Sequence, residues 1–210
     1  MNFRVNVGLI LAIAILMAAL PFSGRRNGVS AASGPEGYQP SYAADGNLIP
    51  PADYRDWVYI STGFDMSYVP NTTPGMHMFD NVFVNREAYE GFLATGHWPD
   101  KTVMVLEARG AVSKGSINQS GNYQAGDVMG MEIHVKDEKR FAGGWAFFDV
   151  ESPTKTKLFA QTADCYSCHK QHAAVDTTFV QFYPTLLPVA QKFKTLSAEY
   201  VRENAAQGGK

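Results

Sequence analysis

Beyond residue 57 the apolar residues gather in short runs separated by Gly, Pro and Asn. Val58 to Phe64 is β-branched and aromatic and reads as a strand. Met76 to Val84 is a second strand candidate, set off by the loop Pro70 to Gly75. Asn85 can cap a helix over Arg86 to Thr95, with Ala88, Tyr89, Phe92 and Leu93 on one face and Gly96 past its end. Thr102 to Ala108 reads as a strand, and residues 113–126 as a polar, Gly-rich hairpin loop. Met129, Met131, Ile133 and Val135 then alternate with Gly130, Glu132 and His134, the period of a half-buried strand. Trp145 to Val150 follows Gly143-Gly144 as another. Thr185 to Asn204 carries Leu186, Val189, Phe193 and Leu196 at roughly helical spacing, which predicts one terminal helix. Four or five strands therefore precede the carboxyl-terminal helical region.

Between the last strand and that region lie the only two cysteines, in Cys165-Tyr166-Ser167-Cys168-His169. C-x-x-C-H is the attachment signature of a c-type haem. Residues three apart share a helix face, so both thiols can reach one porphyrin edge, and the next imidazole can serve as an axial iron ligand. Alternatives are thinner. A thioredoxin-type redox pair needs a βαβ core. A structural zinc site wants four ligands, and only His172 adds to the two thiols. A disulfide across the motif needs no histidine. One motif predicts one covalent haem, on a short helix near the carboxyl end.

Composition places this motif in context. Of 210 residues, 45% are hydrophobic and 18% charged, which suits a globular domain with a real core. Arg4 precedes an apolar run from Val7 to Leu20, followed by small residues at Val29-Ser30-Ala31-Ala32. That is the plan of a signal peptide over residues 1–31, with an uncleaved anchor as the alternative. The reading places the protein in the periplasm, where bacterial c-type haem is attached. The leader holds three arginines and no acid, so its loss deepens the formal net charge of −2. A mildly acidic product offers no basic stripe for nucleic acid. Residues 32–51 are rich in Gly, Ser, Pro and Ala and read as a flexible linker, residues 52–184 as the haem domain, and residues 185–210 as a helix and tail.

Five stretches resemble the cytochrome P-460 and cytochrome c′-beta group. They are Tyr54-Arg55-x-Trp57, then Asn81-Val82-Phe83-Val84-Asn85, then Gly96-x-x-Pro99-Asp100-x-Thr102-Val103-x-Val105. Arg140-Phe141-Ala142-x-Gly144-Trp145-x-Phe147 and Cys165-x-x-Cys168-His169, with the aromatic stretch Phe179 to Tyr183, complete the set. The resemblance spans about residues 50 to 184. It implies an α+β fold, predominantly an antiparallel β-sheet with a few helices, one haem per chain and a homodimer. It also implies His169 as proximal ligand, with the opposite iron face open.

The group divides at one position. Members that oxidise hydroxylamine carry a lysine there, cross-linked to the porphyrin; members that bind nitric oxide or carbon monoxide carry an apolar residue. In this chain the position falls on Leu106, which has no nucleophile, and Lys101 lies in the preceding turn. The resemblance puts a further distal position near Met76 or His77, and Phe79 where hydroxylamine oxidisers have a basic residue. An apolar distal pocket is expected. The leading function is binding of a small gaseous or nitrogen-oxide ligand, nitric oxide above all. Hydroxylamine oxidation is the runner-up, with Glu107, Glu132 and His77 as proton acceptors by type. Electron transfer to a partner cytochrome, with a methionine in the sixth position, is the third. His97, His134 and His172 are expected at the surface, and Met76, Met78, Met104, Met129 and Met131 in the core or pocket lining.

Overall fold

The computed structural model describes residues 37–67 and 76–208. The leader and the start of the expected linker lie outside the described residues, as does the loop at 68–75. Six strands form one antiparallel meander in chain order: β1 (Val58–Phe64), β2 (Met78–Val84), β3 (Val103–Val112), β4 (Tyr123–Lys136), β5 (Trp145–Ser152) and β6 (Lys155–Leu158). Four helices accompany it: α1 (Arg86–Thr95), α2 (Asp164–His172), α3 (Leu187–Phe193) and α4 (Ala198–Ala206). The architecture is α+β with a predominantly antiparallel sheet. No helix among the described residues is long and apolar enough to cross a membrane.

The sheet is covered on both faces, so its central strands are apolar in both directions. One core joins Ile60, Val82, Val84, Phe92, Met104 and Trp145 to the helices through Val180, Leu186 and Ala190. The other collects Val103, Val105, Ile133, Val135, Ala146 and Phe148 beneath Leu48 and Tyr54. Residues 37–51, expected as flexible linker, supply part of that second cover. Leu48 is buried, its carbonyl accepts the Thr156 hydroxyl at 2.6 Å, and Tyr42 donates to Asp137. Small and turn-forming residues in this arm masked three anchoring side chains, Tyr38, Tyr42 and Leu48.

α1 begins and ends where its sequence predicts. Gly96 closes it at φ 76°, its N–H donating to Phe92 O at 2.7 Å. A Cβ at Gly96 would sit 2.8 Å from Phe193 Cβ, so the turn and the packing both call for glycine. Asn85 occupies the cap position without capping: its side-chain oxygen accepts the Val103 N–H at 2.8 Å, tying the helix start to β3. The single terminal helix expected over 185–204 is two helices. Lys194 turns left-handed at φ 60°, and Ser197 starts α4 by accepting the Tyr200 N–H at 3.1 Å. The same hydroxyl donates to Ala173 O, so the break also fixes the chain beyond α2.

Candidate functional site

One irregularity in β1 decides what the site contains. The β1–β2 register slips between Tyr59 and Ser61, leaving Ile60 as a bulge. After the slip, Ser61 stands opposite Val82 and Gly63 opposite Asp80. These residues line a cavity of about 290 Å³ on the helix-bearing face, with Leu106, Met104, Glu132, His134, Phe147, His169 and Phe179. Thr62 and Phe64 are turned to the opposite face, where the Phe64 and Phe79 rings lie 4.8 Å apart.

α2 brings the motif to this cavity. None of its residues is fully buried, and tertiary anchors hold it: Tyr166, between the two cysteines, sets its ring perpendicular to Phe147 at 4.8 Å. Cys165 and Cys168 are free, partly exposed thiols, three residues apart and so on one side of the helix. Burial pushes both thiols up, so they are held protonated near neutral pH. His169 lines the cavity, wedged between Phe179 at 4.1 Å and Phe147 at 4.6 Å. Its Nδ1–H donates to Thr177 O at 2.7 Å, which leaves the Nε2 lone pair free. Burial lowers its pKa, more than the Thr177 bond raises it, so the ring is a neutral donor. A second hollow of about 480 Å³ adjoins Cys168 and shares Phe179 and Phe182 with the first. Two free thiols, a neutral imidazole with one uncommitted nitrogen, and hollows beside them lined by both apolar and polar side chains fit a covalently held haem.

The acceptor carbonyl sits in an unusual turn. Val175 and Thr178 exchange backbone hydrogen bonds, and the residues between them, Asp176 and Thr177, have φ of 47° and 60°. That is the sign pattern of a type I′ turn, which favours Asn-Gly. A β-branched residue there costs roughly 1–3 kcal/mol. The buried Thr177 hydroxyl also lacks a partner. The His97-Trp98 segment after α1 holds the turn. Asp176 accepts Trp98 N–H and the His97 imidazole at 2.9 Å each, and Thr178 Oγ1 accepts the Trp98 indole N–H at 2.8 Å.

Of the expected cavity residues, Leu106 lies in the wall and Met76, His77 and Phe79 do not. His77 is exposed, hydrogen-bonded to Asp65 at 2.6 Å and stacked on Phe64. Phe79 follows strand alternation onto the far face, and its neighbour Asp80 takes the cavity position. Glu107, a proton acceptor by type, is not a cavity group. It is buried on the far face, hydrogen-bonded by Tyr54, Arg55 and Arg109. Burial would raise its pKa, but those hydrogen bonds and the two arginine charges outweigh it and hold the carboxyl low. Glu132 does line the cavity. It keeps solvent-accessible surface there, yet crowding by protein atoms, then the charges of Asp149 and Asp80, push its carboxyl up. Asp80 is raised likewise by burial and by Asp65. The cavity is therefore not wholly apolar. His134, expected at the surface, is buried beside Phe147 (3.9 Å) and His169 (5.2 Å), with Nε2 unpartnered. His97 and His172 are exposed. Met66 and Met104 are the methionines of the wall. Alternation counted outward from Leu106 through its cross-strand partners Val82 and Glu132 finds the acids; the bulge is what sequence hides.

An antiparallel sheet roofed by a helix bearing two thiols and an imidazole over a cavity describes a haem protein of the β-rich kind. A family model, Cytochrome P460, matches residues 51–180, and the chain belongs to that family. It is thereby a cytochrome, with haem as its cofactor. No curated protein matches the chain.

Proposed function

We propose that the protein is an exported cytochrome with one covalent haem, held by Cys165 and Cys168, whose free iron face binds small neutral ligands such as nitric oxide. The carrying observation is Leu106 in the cavity wall, where a hydroxylamine-oxidising relative would present a lysine. The haem supplies an iron that binds diatomic ligands at its sixth position. His169 would hold the iron through Nε2, and its Nδ1–H bond to Thr177 fixes the ring's tautomer. Leu106, Val82 and Met104 disfavour water and charged ligands, which would lose solvation there. The leader-like amino terminus supports a periplasmic site, with attachment of haem after export. A homodimer and a redox-partner cytochrome belong to the same reading; nucleic acid does not.

The test is a nitric oxide titration of the reduced, haem-loaded protein followed by absorbance. A high-spin spectrum that shifts at stoichiometric ligand supports the reading; an unresponsive low-spin spectrum, with Met66 or Met104 filling the sixth position, would favour electron transfer instead.

A second reading rests on Asp80 and Glu132. Carboxyls with raised pKa beside a haem could take the protons released when hydroxylamine is oxidised. Turnover of hydroxylamine with an artificial electron acceptor, lost in Glu132→Gln, would bring this activity to the front.

A further inference from the structure

We infer that Asp176 is a positioning residue for the axial histidine, acting through the strained turn that carries the Thr177 carbonyl. The inference rests on His169 being the iron ligand, the reading proposed above. Three observations meet at this point. Thr177 O is 2.7 Å from His169 Nδ1, the contact that orients the imidazole and makes it a stronger donor. Asp176 and Thr177 both have positive φ, a conformation that this residue pair does not favour unaided. The side chain of Asp176 meets the turn's outside support, accepting the Trp98 N–H and the His97 ring N–H.

Trp98 is itself firmly packed. It is buried, its ring lies 4.4 Å from Phe92 of α1, and its indole N–H holds Thr178, whose hydroxyl donates to Val175 O. The end of α1 is thus connected by hydrogen bonds to both sides of the turn. Among the described residues, Asp176 is the link of this clamp that grips the left-handed segment itself. Without it, the turn can relax toward negative φ, and the carbonyl rotates away from Nδ1.

The experiment uses haem-loaded protein and reads the iron–histidine stretching frequency of the ferrous state by resonance Raman. The rate at which the axial imidazole is released at saturating nitric oxide is measured alongside it. Asp176→Ala is expected to lower the frequency and speed release roughly tenfold. Asp176→Asn keeps an acceptor for Trp98 N–H and is expected to shift both readouts in the same direction, by less. Should the alanine variant not accumulate, a wild-type frequency in the asparagine variant overturns the inference. So does an unchanged frequency and release rate in a folded Asp176→Ala protein. His169→Gly separates the two levels. A stretching mode that survives in it sinks the axial assignment, whereas a mode lost there and unmoved in Asp176→Ala sinks only the clamp.

Discussion

The two faces of the sheet solve opposite problems. On the far face a carboxylate is buried and fully answered: Tyr54, Arg55 and Arg109 converge on Glu107, and aliphatic side chains fill the remaining space. On the helix-bearing face three polar side chains are poorly answered. His134 Nε2 has no partner, Asp80 and Glu132 sit in surroundings that disfavour their charge, and a cavity lies between them. Polar groups left in that state are costly to a fold and useful to a site. One face holds the sheet together, and the other is arranged for a ligand.

Substitutions on both faces sharpen this contrast. Glu107→Ala would leave two arginines facing an apolar core. A loss of about 3 kcal/mol is expected in chemical denaturation, toward the low end for buried pairs because Arg55 is half exposed. Ile133→Ala, a fully buried truncation in the far core, should cost a similar 2–4 kcal/mol. Leu106→Ala removes as large a side chain from a wall that already borders empty space. It should cost only about 1 kcal/mol while changing the nitric oxide affinity, and equal losses at 106 and 133 would break the comparison.

The pH dependence follows from the same asymmetry. Glu107 titrates below its ordinary value of 4.5 in the folded protein and at that value when unfolded. The unfolded chain therefore takes up the proton first as pH falls. Its stabilising contribution is complete above about pH 4.5 and is lost as pH drops through the folded value. Glu107→Gln should flatten that acid limb of the stability curve. Asp80 and Glu132 have the opposite sign: folded carboxyls with raised pKa lower stability as pH rises past their unfolded values near 4. Asp80→Asn and Glu132→Gln should accordingly be neutral or stabilising at pH 7, by at most about 1 kcal/mol, in thermal melts.

Sequence pattern reached the elements more easily than the side chains that line the site. Val58 to Phe64 and Arg86 to Thr95 coincide with β1 and α1 because apolar period, Asn85 and Gly96 all agree there. Cys165-x-x-Cys168-His169 reads as a haem signature because covalent attachment would require that spacing. β6 escaped notice because Lys155 to Leu158 has two lysines and a single deeply buried residue, Thr156. Phe79 was placed at the cavity and Asp80 was not, because strand parity was anchored to no fixed point. A histidine in a strand is usually a surface residue, whereas His134 shares the face of Met104 and Phe147. The Asp176-Thr177 turn carries none of the glycine that would have announced it.

The most direct test of the two-faced account is amide hydrogen exchange on haem-free and haem-loaded protein. Protection should rise on loading in α2 and in residues 173–183, while residues 37–51 on the far face keep the rates they had. Equal gains over both regions, or none in α2, would contradict it.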